Sequence, residues 1–342
     1  MRRHHQLGGK FDRIIEDLVR DFGGEGERAL LIQEMIATAL RFVNEKNDRG
    51  ELKIVNTALR ELRYAFKIFS PYRHAKKVCV FGSARTPTRA PEYRMAKQFA
   101  EEIAREGFMV ITGAASGIME AANAGAGRER SFGLNIRLPH EQEPNPYIIR
   151  DDKLMTFKYF FTRKLIFVKE ANAIALFPGG FGTHDESFEA LTLIQTGKTN
   201  PFPIVMVEHP GRPYWKPWLD FIKKQLLKHH YISPQDLGFF RIVTRIEDAV
   251  GEIKRFYRNY HSSRFVGNLF VVRVHRASAG LAKVLNKEFK DILRPKGRFE
   301  IIGAFPEEHH EKETLHLPRI AFHFNRKNYA RIRELIDTVN EY

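Results

Sequence analysis

The densest chemistry in this 342-residue chain lies in one string, Pro178-Gly179-Gly180-Phe181-Gly182-Thr183-His184-Asp185-Glu186, directly after the apolar run Ala173-Ile174-Ala175-Leu176-Phe177. An apolar strand running into a glycine-rich turn and then a helix lets backbone N–H groups come close to an anion. A helix opening at Thr183 adds its own free N–H groups and positive dipole end, so phosphate can be held there without a lysine. A ligand-free strand-to-helix turn needs the same residues, and the motif alone does not decide between the two. Two further loops weigh on the choice: Phe81-Gly82-Ser83-Ala84-Arg85, and Thr112-Gly113-Ala114-Ala115-Ser116-Gly117-Ile118-Met119-Glu120. The first lacks the spacing of a dinucleotide fingerprint. Three small-residue turns at the carboxyl edge of one sheet are nonetheless where an open α/β fold places its ligand.

Other clusters read as structure. His184 and Asp185 suggest a metal pair, but neighbours on a helix point about 100° apart and no third ligand accompanies them, so no metal is expected. His309 and His310 stand among Glu307, Glu308, Glu311 and Glu313, a mixed-charge stretch between two strands that reads as a solvated loop. Trp215 and Trp218, three apart, suit packing better than base stacking. Cys79, the single cysteine, sits in the apolar run Val78-Cys79-Val80-Phe81 and reads as a buried structural thiol.

The elements that must carry these loops follow from periodicity. Short apolar runs alternating with amphipathic stretches predict a parallel sheet wrapped by helices, a Rossmann-like α/β domain over 77–261. Strands are expected at 78–81, 108–112, 132–136, 173–177 and 204–207, with helices near 91–106, 116–127, 156–170, 183–196, 214–228 and 246–259. Before it, residues 1–76 form a helical extension. Phe11, Ile14, Ile15, Leu18 and Val19 share one helical face, as do Leu30, Leu31, Met35, Ile36, Ala39 and Leu40, and a third stretch runs from Leu52 to Phe66. Beyond Ser262-Ser263, taken as a joint, a βαββα order over 262–342 predicts a small module of ferredoxin-like or ligand-sensing type, either a separately folded regulatory or assembly unit or a packing extension that covers an edge of the core. No internal repeat or low-complexity segment is evident.

At 43% hydrophobic residues the chain buries a substantial core, which excludes intrinsic disorder. It has no apolar run of 18 residues, and Met1-Arg2-Arg3-His4-His5-Gln6 leads into charged sequence rather than a signal peptide; a soluble, cytoplasmic protein without a membrane partner is expected. The net charge of +15 suggests attraction to phosphates. Because 1–77, 78–261 and 262–342 each carry +5, the charge argues against a dedicated nucleic-acid module.

The string Pro-Gly-Gly-x-Gly-Thr-x-x-Glu at 178–186, preceded by Arg163-Lys164 and followed by Thr192-Leu193-Ile194-Gln195-Thr196-Gly197, resembles the LOG ("lonely guy") family over about 78–261. Proteins of that family, formerly mislabelled lysine decarboxylases, are metal-free Rossmann-like dimers that hydrolyse the N-glycosidic bond of cytokinin riboside 5′-monophosphates and related nucleoside 5′-monophosphates. The resemblance implies that Glu186 and Arg163 are catalytic and that Gly179, Gly180, Gly182 and Thr183 bind the phosphate. It also brings Gly82, Ser83, Gly113, Gly117, Met119, Glu120 and Lys164 to the phosphate and ribose. The family's Gly-Gly-Gly is here Gly113-Ala114-Ala115, whose two added methyl groups would narrow the pocket.

The implied chemistry is coherent. Departure of the base leaves an oxocarbenium-like ribosyl centre, which a carboxylate such as Glu186 stabilises while positioning water. Arg163 pairs with that carboxylate or binds phosphate. The expected function is hydrolysis of a nucleoside 5′-monophosphate to free base and ribose 5-phosphate by a homodimer or higher homo-oligomer, with no cofactor. The alternative is a non-catalytic Rossmann-like carrier of a nucleotide or phosphorylated cofactor, the family's wider relatives including a molybdenum-cofactor carrier. Base preference is expected to reside in loops such as 139–155 and in a partner subunit.

Overall fold

Runs such as Val78-Cys79-Val80-Phe81 bury every side chain, as inner strands covered on both faces must. A computed structural model of the chain describes residues 7–139 and 143–342. Met1–Gln6 and residues 140–142 of the 139–155 loop, both used in reading the sequence, lie outside the described residues. Contacts divide the chain into two compact units, Met1–Arg63 and Tyr64–Tyr342.

The first unit holds helices α1 (Gly9–Asp21), α2 (Gly26–Arg41) and most of α3 (Arg49–Phe69). Among its described residues only Ile15, Val19 and Ala37 are buried in the small cluster, so the predicted faces are helical but mostly uncovered.

The second unit is built on seven parallel strands: β1 (Lys77–Phe81), β2 (Met109–Thr112), β3 (Ser131–Ile136), β4 (Leu154–Phe157), β5 (Ala173–Leu176), β6 (Ile204–Val207) and β7 (Phe240–Val243). Their order is β4-β3-β2-β1-β5-β6-β7, a doubly wound Rossmann-like sheet. β1 is central, Val78 lying beside Val110 of β2 and Ala173 of β5. Side chains alternate between faces. Val78, Val80, Ala173, Ala175 and Val205 pack under helices α4 (Pro91–Arg105), α5 (Ile118–Ala126) and, beyond β7, α9 (Ile246–Phe256). Cys79 and Phe81 point the other way, to α6 (Phe160–Glu170), where Cys79 Sγ lies 3.5 Å from the Phe167 carbonyl. Cys79 is fully buried. Helices α7 (Phe181–Gln195) and α8 (Trp215–Phe221) follow β5 and β6.

A four-stranded antiparallel sheet, β10-β11-β9-β8, forms the C-terminal module from β8 (Tyr260–Val266), β9 (Leu269–Val274), β10 (Glu300–Ile302) and β11 (Arg319–Phe322). Helices α10 (Ala279–Glu288) and α11 (Ala330–Glu341) cover one face. The order is therefore ββαββα, and Ser262-Ser263 is no joint but the middle of β8. Ser263 Oγ bonds Tyr260 Oη at 2.9 Å and Asn200 Oδ1 at 3.1 Å, and its carbonyl accepts from Asn200 Nδ2 at 2.8 Å. On α11, Asn340 Oδ1 accepts from the amides of Asn259 and Tyr260 while its Nδ2 donates to Phe256 O. The module is thus stitched to α9 and the turn after α7, and its residues cluster with the rest of 64–342 rather than apart from them.

The expected solvated loop at 307–313 contains a fully buried carboxylate. Glu308 accepts from Arg273 Nε at 2.9 Å and Arg319 Nε at 3.2 Å, and both arginines are buried. Removing one member of a buried ionic cluster strands the others. Glu308→Ala is expected to cost about 3 to 5 kcal/mol in urea unfolding, while the exposed neighbour change Glu307→Ala stays within about 0.5 kcal/mol. Equal midpoints for the two variants contradict this account.

Candidate active site

A parallel strand delivers its chain to the carboxyl edge of the sheet, and where neighbouring connections depart in opposite directions a crevice opens. Here that crevice lies between β1 and β5. It is a cavity of about 840 Å³ lined by the three small-residue turns, by α6 and by the start of α7.

The turns touch through their backbones. Ser83 N donates to Pro178 O at 3.1 Å, and Ser83 O accepts from Ile118 N at 3.1 Å. A Cβ on Gly179 would stand 2.9 Å from Ser83 N and 2.1 Å from Thr183 Oγ1. Gly117, at φ +67°, would carry its Cβ 2.3 Å from Ser83 O. Both positions need glycine for packing of turn on turn. Gly180 and Gly182 differ, for a Cβ on either meets nothing within 4 Å, and both line the cavity. Thr183 N and His184 N turn back to Gly180 O, which leaves the amides of Phe181 and Gly182 as the orphan donors of the first turn of α7. An anion there meets two N–H groups and the positive end of a 15-residue helix.

Thr183 and Glu186, three apart, share the buried face of α7. Glu186 is 7% exposed. Burial pushes its carboxyl up to about 7 against the pull of Lys164 and Arg163, with Glu189 and Asp185 adding to the rise. Arg163 projects from α6 with its guanidinium 5.0 Å from the Phe160 ring and 5.6 Å from that of Phe167. Its Nε is buried without a hydrogen-bond partner among the described residues. Burial lowers Arg163 from its ordinary value, opposed by Glu186 and Asp185. The cavity therefore holds a half-buried cation and a buried carboxyl that titrates near neutrality.

Of the residues singled out in the sequence, Gly82, Ser83, Gly113, Met119, Arg163, Gly179, Gly180, Gly182, Thr183 and Glu186 come together around the cavity. Gly117, Glu120 and Lys164 do not line it. Glu120 accepts from Tyr93 Oη at 3.3 Å. Lys164 stands behind Glu186 and reaches α7, 2.7 Å from Glu189, 3.0 Å from Asp185 and 3.6 Å from Glu186. Burial opposes its charge, but these carboxylates outweigh it and hold the ammonium above its ordinary value. Of the two alanines expected to narrow the pocket, only Ala115 lines it. Ala114, at φ +60°, is buried and turns its methyl toward Gly133.

The sequence reading missed Asn135, Leu138 and Phe160 as lining groups, and gave no ligand role to Arg85, Phe181 and His184 within the loops it quoted. Asn135 had a signal, a lone amide inside the apolar run 132–136, and Phe160 stands three before Arg163. His184 is part of a clamp rather than a metal pair. Its Nε2 lies 2.8 Å from Tyr214 Oη, and Tyr214 Oη donates to Gly179 O. Tyr214 is held in turn by Glu208, which accepts from the amides of Tyr214 and Trp215. Trp215 is fully buried and donates to Val207 O, in keeping with packing.

Comparison with known proteins bears out the resemblance seen in the motif. Residues 115–253 match the family described as possible lysine decarboxylase. The cytokinin riboside 5′-monophosphate phosphoribohydrolase of Mycobacterium tuberculosis is 29% identical over 175 residues, 49% of this chain and 88% of that protein. Among solved structures, the molybdenum cofactor carrier protein of Chlamydomonas reinhardtii is 19% identical with a TM-score of 0.38, covering 53% of this chain and 98% of its own. The molybdenum cofactor binding protein of Rippkaea orientalis is 21% identical with a TM-score of 0.39, covering 53% and 96%. No helix among the described residues is long and apolar enough to cross a membrane.

A carboxyl raised by folding is a stability load at high pH. The unfolded value is about 4.3, so the contribution of Glu186 is fully present below that pH and is lost as pH rises through 7. Glu186→Gln is therefore expected to be more stable than the parent at pH 8, by on the order of 1 to 3 kcal/mol, with the difference vanishing near pH 4. Thermal melts at the two pH values check it; a variant less stable at pH 8 contradicts the burial argument.

Proposed function

We propose that this chain hydrolyses the N-glycosidic bond of nucleoside 5′-monophosphates, releasing free base and ribose 5-phosphate. One observation carries the reading: Glu186 and Arg163 face a single cavity whose rim offers free helix-start amides beside two open glycines. The matched family and the phosphoribohydrolase relative support the same class of reaction.

The residues take these roles in the proposal. The 5′-phosphate rests on the amides of Phe181 and Gly182, with Gly180 and Gly182 leaving room for its oxygens. The ribose then lies toward Glu186 and Arg163, and a flat base toward the apolar wall that includes Leu138 and Phe160. As the C1′–N bond breaks, its electron pair leaves with the base and positive charge grows on the sugar. Ionised Glu186 stabilises that charge and takes a proton from the water that forms the new C1′–O bond; the departing base takes its proton from solvent, to which Glu186 later releases its own, so the overall reaction consumes one water. Arg163 neutralises charge on the phosphate or ribose oxygens. Lys164 keeps Glu186 from rising further and so sets the pH at which the carboxylate becomes available. We extend the proposal to a homodimer in which a second copy covers apolar surface of α7, where Phe181 is 96% and Phe188 38% exposed.

Three outcomes are expected. Purified protein given a panel of nucleoside monophosphates releases base, Glu186→Gln abolishes release while keeping nucleotide affinity, and binding without release by the parent would instead indicate a carrier. The matching nucleoside is a poorer substrate by orders of magnitude in kcat/KM, because each lost charge-assisted hydrogen bond is worth about 1.5 to 3 kcal/mol; equal efficiency overturns the phosphate assignment. The acid limb of kcat/KM has its midpoint near 7, and Lys164→Gln moves it upward because a cation favouring the carboxylate is gone. A midpoint unmoved or lowered by that variant removes Glu186 from the role of base.

A further inference from the structure

A second cavity, of about 770 Å³, lies at the opposite edge of the parallel sheet, where β1 and β5 begin. Arg73 and Lys76 enter it from the segment before β1, Asn172 from the turn before β5, His261 from β8, and His310 and Lys312 from the loop before β11. It is a space between the Rossmann-like sheet and the C-terminal module, within the single unit 64–342.

Its charges do not balance internally. The two carboxylates in the lining are engaged: Glu311 pairs with Arg264 and, at 2.6 Å, with Arg273, and Glu313 lies 2.7 Å from His74. Lys76 has no carboxylate within 4.0 Å among the described residues, and its ammonium sits 4.0 Å from the centre of the Tyr257 ring. His261 shares its Nδ1 with Ser262 Oγ at 2.8 Å, and its ring centre is 5.8 Å from that of His275. The largest charge effects on His261 come from His275, Lys76, Arg273 and His316, all basic, in a cavity that Glu311, Glu313, His310 and Lys312 also line. Burial holds Lys76 below its ordinary value, and burial with these basic neighbours takes His261 down to about 4. Cations on an open surface are stabilised by water. Here Lys76 is drawn partly out of water beside an imidazole, His261, that carries no charge at neutral pH, and an entering anion restores the missing counter-charge while the ring offers it a polar partner.

We infer that this cavity is a second anion site, taking a small phosphate-bearing molecule whose phosphate meets Lys76 and His261, with Arg73 and Lys312 at the mouth. The Ser262 hydroxyl is a further polar group for a phosphate oxygen. Its volume falls in the range of small-molecule pockets and suits an inorganic polyphosphate or a mononucleotide. The proposal is independent of the reaction assigned to the first cavity, since no residue lines both.

Calorimetric titration of the full chain with sodium pyrophosphate and, separately, with AMP tests this. Gly180→Val serves as the background, because a side chain there projects into the first cavity and blocks its phosphate cradle. Binding is expected to survive in that background and to weaken about tenfold or more when Lys76→Met is added, as befits loss of a charge-assisted contact. Arg73→Ala and Lys312→Ala, both exposed and with no side-chain hydrogen bond or ion pair among the described residues, are each expected to weaken it severalfold, which keeps the test valid should Lys76→Met fold poorly. Tighter binding of AMP identifies a nucleotide as the source of the phosphate, and tighter binding of pyrophosphate identifies the free anion; either supports the site. No binding of either probe up to about 5 mM, or affinities unchanged by Arg73→Ala and Lys312→Ala, overturns it. Failure of base release in the parent leaves these results untouched, so the two proposals fail separately.

Discussion

The N–H of Ser83 donates to Pro178 and its carbonyl accepts from Ile118, so one residue between β1 and α4 ties the turn after β5 to the turn after β2. The consequences reach in both directions. With the two bonds made, the three turns stand so close that neither Gly117 nor Gly179 has space for a methyl group. The same closeness fixes where α7 starts, and therefore where Phe181 and Gly182 present their amides and where Glu186 lies less than two helical turns further on. Ser83 contributes this through its peptide groups. Its hydroxyl accepts from Arg85 N at 3.1 Å and shapes its own turn. Glycines that look equivalent in the sequence thus divide into two kinds, those that let backbone meet backbone and those that leave room for a ligand.

What the sequence showed and what it hid follow one physical rule. Strands buried on both faces read as apolar runs, and β1, β2, β3, β5 and β6 appear within a residue or so of their expected limits. The hidden strands are those whose burial is partial or whose polar residues are satisfied elsewhere. β4, at one edge of the sheet, has Thr156 exposed, so the apolar residues nearby were absorbed into a helix expected from 156; pairing of Leu154–Phe157 with β3 delays that helix to Phe160. β7, at the other edge, carries Arg241. Ser262-Ser263 resembled a linker because hydroxyls usually mark turns, yet the hydrogen bonds of Ser263 to Tyr260 and Asn200 allow it inside a strand. Glu308 misled in the same manner, its two arginine partners lying 35 and 11 residues away. A polar residue's fate depends on a partner distant in sequence, which local spacing does not record.

Within the site, the glycine-rich turn was legible because its chemistry is local, carried by backbone and by one helix start. The His184–Tyr214–Gly179 chain was not, since Tyr214 lies 30 residues beyond His184 and their meeting depends on Glu208 gathering the amides of Tyr214 and Trp215. That chain grips the carbonyl of Gly179 while Ser83 N holds that of Pro178, and the turn is fixed at two successive peptide groups. A loop clamped in this way keeps its orphan amides aimed at one place without reorganising, which is what makes fixed dipoles effective against developing or transferred charge.

The features that give the cavity its chemistry are each unfavourable to folding. Ala114 adopts positive φ, and among the described residues Arg163 Nε lacks a partner and Glu186 is kept from water with only Lys164, at 3.6 Å, within ion-pair range. None of these would persist in isolation. They persist because residues 64–342 share two large apolar clusters, one beneath the parallel sheet and one beneath the antiparallel sheet, with Phe256 of α9 in the second and Tyr257 packed against both. The C-terminal module contributes to that reserve through Asn340 and through Tyr329, whose ring fills the space over Gly197 at the end of the helix that carries Glu186. An element with no residue in the cavity thereby bears on the position of the carboxyl, since the far end of α7 is fixed by the module and the near end by Ser83. The raised carboxyl of Glu186 is the electrostatic expression of that rigidity. A looser helix would let the carboxyl swing to water or close on Lys164, and in either case its pKa would fall back toward the ordinary carboxylate range.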